Sequence, residues 1–191
     1  MFSLFKKSVS VKEFADAIWE GVHSWPEKYG SALKDDFGDS FGQPFEDVLD
    51  EMVYFMGFST DFALHCHLSA SPKIESAVRD VFASHLGQFA LDHKCKPLPS
   101  GNWVGEGLIW LPNGESPKDT GHPLENLSKR FALYAESIKR RKDKSSSECL
   151  AHLLAGWCGN LEITFIFFAA NNSLSNFEAI QQMLKSIKLK A

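Results

Sequence analysis

A chain of 191 residues with 44% hydrophobic content is long enough for one domain with its own core and short for two. Its net charge of −4 excludes the general electrostatic attraction to a polyanion that marks a nucleic-acid binder. The 16 Phe, 5 Trp and 3 Tyr predict a core built from large flat side chains, each contributing roughly 1.5–3 kcal/mol when fully buried.

From the N-terminus, two lysines follow within seven residues with no apolar stretch of leader length behind them, which predicts a cytoplasmic start. Ser10-Val-Lys-Glu13 reads as a capping box, so a helix should open there. Val11, Phe14, Ala15, Ile18, Val22 and Trp25 then recur at helical spacing, and Pro26 predicts an end or kink near Trp25 with a short continuation over 27–33. Glu20-Gly-Val-His23 matches one half of a di-iron bundle motif, but there is no second copy. Asp16, Glu20 and His23 fall opposite the Phe14/Ile18 stripe and should face solvent. The glycines and proline in 37–44 mark a loop.

A second helix is predicted over 45–68, with Phe45, Val48, Leu49, Met52, Phe55, Met56 and Ala63 inward and Asp47, Asp50, Tyr54, Asp61 and His65 in an arc opposite. Asp61 and His65, at i and i+4, are candidate metal ligands or acid–base groups, although an ordinary solvated face explains them as well. His65 and His67 point about 200° apart on a helix and cannot share an ion. Gly57 inside this helix costs about 1 kcal/mol relative to alanine, which implies close packing or a bend. Ser71-Pro72 opens a third helix to about His93, with Ile74, Val78, Val81, Phe82, His85 and Phe89 on one face. His85 within that face predicts a buried neutral imidazole with one partner, or a base or ligand in a pocket, and His93 is a further metal candidate. Cys66, Cys95, Cys149 and Cys158 form no CxxC pair and read as reduced thiols.

Five prolines and five glycines across 96–123 exclude a helix. Within this long loop, 107–111 reads as an extended piece before a Pro-Asn-Gly turn, so a short hairpin fits. Trp103, Leu108 and Trp110 are too apolar for a solvated linker and are candidate ligand or interface residues. Pro123 opens a fourth helix whose narrow seam, Leu124, Leu127, Phe131, Tyr134 and Ile138, makes it the least buried of the long helices. The cations between Lys139 and Lys144 suit its C-terminal dipole, or a phosphate.

Ser145-Ser-Ser-Glu148 is a second capping box. Behind it, the run from about 147 to 170 reads as a central apolar helix: Leu150, Leu154, Trp157, Cys158, Leu161, Phe165 and Phe168 form one stripe, and Ile163, Ile166 and Phe167 cover other sides. His152, Asn160 and Glu162 argue against a membrane span. Gly156 and Gly159 allow another helix to approach closely, within the fold or across a twofold axis. Ser175-Asn-Phe-Glu178 predicts a last helix with Phe177, Ile180, Leu184 and Ile187 inward and terminal lysines complementing its dipole.

These elements predict one all-α domain over 1–191, an irregular six-helix bundle around the 147–170 helix, with the 96–123 loop laid over one end. No motif fixes a chemistry. The residues favour a cytoplasmic, non-enzymatic interaction or small-ligand-binding domain, homodimeric, with a small apolar ligand or protein partner near Trp103 and Trp110 and no cofactor. The rival is a metal-binding protein or metal-dependent enzyme using Asp61, His65, His85 or His93.

Overall fold

The computed structural model describes residues 7–97, 101–104, 107–110, 121–140 and 145–190, with 101–104 and 107–110 described by backbone alone. The fold is all-α. β1 (Lys7–Ser10) leads into α1 (Val11–His23) and α2 (Trp25–Phe37), followed by a 3-10 turn at Gly38–Ser40. α3 (Phe45–Leu68) and α4 (Pro72–Asp92) precede a hairpin of β2 (Gly101–Val104) and β3 (Gly107–Trp110). α5 (Pro123–Arg140), α6 (Ser146–Cys158), α7 (Ile163–Ser186) and β4 (Ile187–Lys190) complete the chain.

The predicted start of α1 is present, with both hydrogen bonds of the Ser10/Glu13 capping box formed. Ser24 remains helical (φ −79°, ψ 0°) between α1 and α2, and Lys28 N–H donates to its carbonyl at 3.1 Å. The two arms therefore make one bent unit, and the bundle has six such helical units among the described residues. The bend falls where Pro26 disfavours uninterrupted helical geometry.

The centre of the bundle differs from expectation. α3 touches α1, α2, α4, α5, α6 and α7, and every residue from Glu51 to Thr60 is buried. Tyr54, expected on its solvated arc, is buried because α4 and α5 cover that side. A Cβ on Gly57 would meet Leu86 of α4 at 3.0 Å, so the glycine serves close packing within an unbroken helix.

The 147–170 run is not one helix. α6 stops at Cys158, and Gly159 takes the left-handed conformation (φ +69°) that a helix C-terminus favours. The 41–44 loop completes the stop: Gly42 N–H donates to the Cys158 carbonyl at 3.0 Å, and the Gln43 amide donates to that of Trp157. A Cβ on Gly159 would lie 2.8 Å from Gly42 Cα, so this glycine's close approach is to a loop of its own chain. α7 then runs through the third expected capping box, because Ser173 and Asn176 bond Ser59 and Thr60 on α3 and carry the helix past Ser175. Part of the expected all-round burial is lost, and Ile163 and Phe167 lie exposed on α7.

Two further readings are corrected. The buried side of α5 is Asn126, Arg130, Tyr134 and Ser137, while Leu124 is exposed and Leu127, Phe131 and Ile138 are half-buried. These polar residues bring partners with them, which is why the apolar seam does not set the helix's rotation. The last helix also ends at Ser186, and Ile187-Lys-Leu-Lys190 pairs in parallel with Lys7–Ser10, its half-buried and exposed residues alternating as a strand requires.

The loop does carry a hairpin, antiparallel with Gly101 opposite Trp110, and the partner of 107–110 precedes rather than follows it. The Pro112-Asn-Gly turn, the cations at 141–144 and the side chains of Trp103, Leu108 and Trp110 lie outside the described residues. No helix among the described residues is long and apolar enough to cross a membrane.

Candidate functional site

The residues singled out for metal or acid–base chemistry are dispersed. Asp61 receives two hydrogen bonds from the Arg79 guanidinium, at 2.7 and 2.9 Å. His65 pairs with Glu75 at 2.7 Å, His85 with Asp16 at 2.8 Å and His93 with Asp50 at 2.9 Å. Asp61 and His65 share one network, since Arg79 also donates to Glu75 at 3.1 Å, while His85 and His93 have partners of their own, and no group of three or more His, Cys, Asp or Glu among the described residues is arranged to hold a metal ion. Gly156 is half-buried on α6, and Gly159 forms the cap described above. His85 is half-exposed rather than enclosed in the core, because Trp19 of α1 covers only its face, stacked at 5.8 Å with the rings 8° from parallel.

A different constellation emerges where the bend between α1 and α2 faces the start of α3 and the end of α4. Trp19 and His23 sit one turn apart on α1, and His85, Phe89 and His93 follow at one-turn spacing on α4 and its cap. Packing α1 against α4 interleaves them. Trp19 stacks on His85, meets Phe89 edge-on at 6.0 Å and lies 5.5 Å from His23. His23 also meets Phe89 at 5.9 Å with the rings near perpendicular, and His93 stacks on Phe89 at 3.9 Å. The result is a ladder of three imidazoles and two aromatic rings, closed by Asp16 at one end and Asp50 at the other.

Beside the lower rungs opens a cleft of about 600 Å³. Phe89 and Leu49 supply its apolar wall, His23 and His93 two imidazoles, and Glu20, Glu27, Glu46 and Asp50 four carboxylates from three helices. Local sequence explains each placement. Glu20 and His23 occupy the last turn of α1, and the bend at Ser24-Trp25-Pro26 turns Glu27 toward them. Glu46 lies in the first turn of α3, where its charge also suits the helix dipole. His93 is held at the cap of α4 by its own N–H, which donates to the Phe89 carbonyl at 3.0 Å.

Electrostatics single out Asp50. Burial pushes its carboxyl above the ordinary range, and Asp47 and Glu51 push the same way, while the adjacent His93 opposes them. A partly desolvated carboxylate paired with a histidine can orient an imidazole or receive a cationic ligand. Ser24 also lines the cleft, but its hydroxyl donates to the Glu20 carbonyl at 2.6 Å and accepts from Lys28 at 2.7 Å. That serine positions backbone and lysine and is not held for nucleophilic attack.

By periodicity alone Asp50 falls on the solvated arc of α3, His23 on the solvated side of α1 and Phe89 on the apolar face of α4, so the pattern of residues does not assemble them with His93. The signal was present as aromatic and histidine residues one turn apart, Trp19/His23, His85/Phe89 and Phe89/His93, a spacing that puts both rings on one face. No protein-family model, curated protein or solved structure matches this chain.

Proposed function

We propose that this chain is a cytoplasmic, non-enzymatic small-ligand-binding domain that acts as a homodimer, and that its ligand is a small organic cation received in the cleft between α1–α2, α3 and α4. The observation that carries the reading is convergence: Glu20, Glu27, Glu46 and Asp50 surround an apolar wall that includes an aromatic ring, in a space of about 600 Å³. Such a volume suits a ligand of metabolite size, and few well-placed polar groups around apolar surface are the usual anatomy of such sites. Ammonium or guanidinium groups would meet carboxylates along the rim, beside the His23 and His93 imidazoles and the apolar wall of Leu49 and Phe89. The four cysteines form no disulfide and three of them are buried, which supports a reducing compartment.

The test is calorimetric titration of untagged protein with 1,4-diaminobutane and with agmatine, against 1,4-butanediol as the neutral control. Saturable binding of the amines alone is expected, weakening with salt and falling at least tenfold in Glu46→Gln/Asp50→Asn. Binding that ignores those substitutions would assign the cation to another surface, and an absence of saturable binding would remove the cation reading.

A further inference from the structure

We propose that the face of α7 between Ile163 and Leu174, together with the α6–α7 corner at Leu161, is the surface on which a second copy of this chain docks. The inference rests on the homodimer reading above and names the partner face. Leu161 is 72% exposed, Ile163 67%, Phe167 58% and Leu174 48%, while most large apolar side chains nearby are buried or half-buried. On α7, Ile163, Phe167 and Leu174 fall within an arc of about 40°, so they form one stripe along the helix rather than scattered exposures.

Area supports an interface of ordinary size. Four side chains of roughly 200 Å² each, exposed to this degree, present on the order of 500 Å² of apolar surface, near the upper end of what a monomer leaves uncovered. A standard interface buries about 800 Å² on each partner, rather more than half of it apolar, which is what this patch and its border would supply.

Charge favours a second copy over a different partner. From Ile163 to Phe177 the helix carries no charged residue, the exposed positions bordering the stripe include Thr164, Asn171 and Ser175, and the exposed Glu162 and Glu178 flank it at its two ends. A neutral face offers no steering toward a charged protein or an anionic lipid surface. Two copies that each carry a net charge of −4 repel least where both are neutral. Antiparallel crossing about a twofold axis near Phe167 and Asn171 brings Ile163 of one copy over Leu174 of the other, so the stripe complements itself as an isologous contact requires. Placing Ile163 and Phe167 against another helix also resolves the exposure left by the break at Gly159.

Sedimentation equilibrium of the untagged chain at micromolar concentrations tests this, with Phe167→Glu and Leu161→Lys as separate variants. Both side chains are exposed, and Leu161 lies outside any helix, so helical content by circular dichroism should be unchanged in at least the second. A wild-type dimer whose dissociation constant rises at least tenfold in a folded variant is the expected result. A wild-type dimer that both folded variants leave intact overturns this face while the homodimer reading stands. A monomeric wild type overturns both, and flotation of that monomer with zwitterionic lipid vesicles would give the face to a membrane instead.

Discussion

In the second turn of α3, Glu51 forms with Arg130 an ion pair almost wholly removed from water, with both Arg130 Nε contacts at 3.1 Å and a further bond from Nη2. The guanidinium also donates to the Lys96 carbonyl and, at 3.3 Å, to Cys95 Sγ, and it lies over the Tyr54 ring at 5.2 Å. Burial alone would lower the Arg130 pKa, but the charge and hydrogen bonds of Glu51 outweigh it and raise the value. Removing one partner strands a buried charge. Arg130→Met is therefore expected to cost about 3–5 kcal/mol in urea unfolding, whereas Glu51→Leu/Arg130→Met should recover most of that loss. A double variant no better than the single would show that Arg130 acts mainly through Lys96 and Cys95. Nothing in the local pattern announced this pair, because Arg130 and Glu51 are 79 positions apart and each reads alone as a surface charge.

The helices were legible where local chemistry decides them and illegible where a neighbour does. Ser10/Glu13 and Ser145/Glu148 cap real helices because both partners lie within one turn. The same spacing at Ser175/Glu178 fails, since contacts with Ser59 and Thr60 of α3 hold that region helical. The break at Gly159 is local in cause but masked by the apolar run around it. Gly159→Ala should cost at least about 1–2 kcal/mol, from the left-handed φ alone, with the 2.8 Å approach to Gly42 adding to it. A thermal midpoint equal to wild type would mean that α6 and α7 can join without loss.

α4 is tied to α3 and α1 by pairs that respond to pH. Its Glu75 carboxyl is held below the ordinary range by His65 of α3 and then by Arg79, and the Asp16 carboxyl that meets His85 is held down by Lys12 and then by His85. A carboxyl whose folded pKa lies below its unfolded value contributes stability above the unfolded value and loses it as pH falls through the folded one. Asp50 runs the other way, since burial raises its carboxyl, and acidification relieves a cost there. The urea midpoint should therefore fall on acidification below the ordinary carboxylate range, and fall less steeply in Glu75→Gln/Asp16→Asn. Parallel profiles for the two proteins would place the acid sensitivity elsewhere than the ties of α4.

At the scale of the molecule, the parallel pairing of β1 with β4 joins the first described element to the last, with Lys7 opposite Ile187 and Ser10 opposite Lys190. Neither strand has the length or composition of an independent element, and parallel pairing across the whole chain leaves no turn signature between the partners, so the pattern of residues could not reveal it. β1 runs directly into the capped start of α1 and β4 directly out of α7, while α1 packs on α3 and α4 and α7 on α3 and α6. The pair therefore closes a ring of contacts around α3, and loosening one end should be felt at the other. Truncation after Ser186 is expected to lower the thermal midpoint and to speed hydrogen exchange in the first turn of α1, which the deleted residues abut in space although they lie at the far end of the sequence. Exchange in α3 should stay slow, because its Glu51–Thr60 stretch is buried in a helix that six others touch. Faster exchange confined to the last turn of α7 would show instead that the strands only decorate the bundle, and that α1 is held by its packing on α3 and α4 alone.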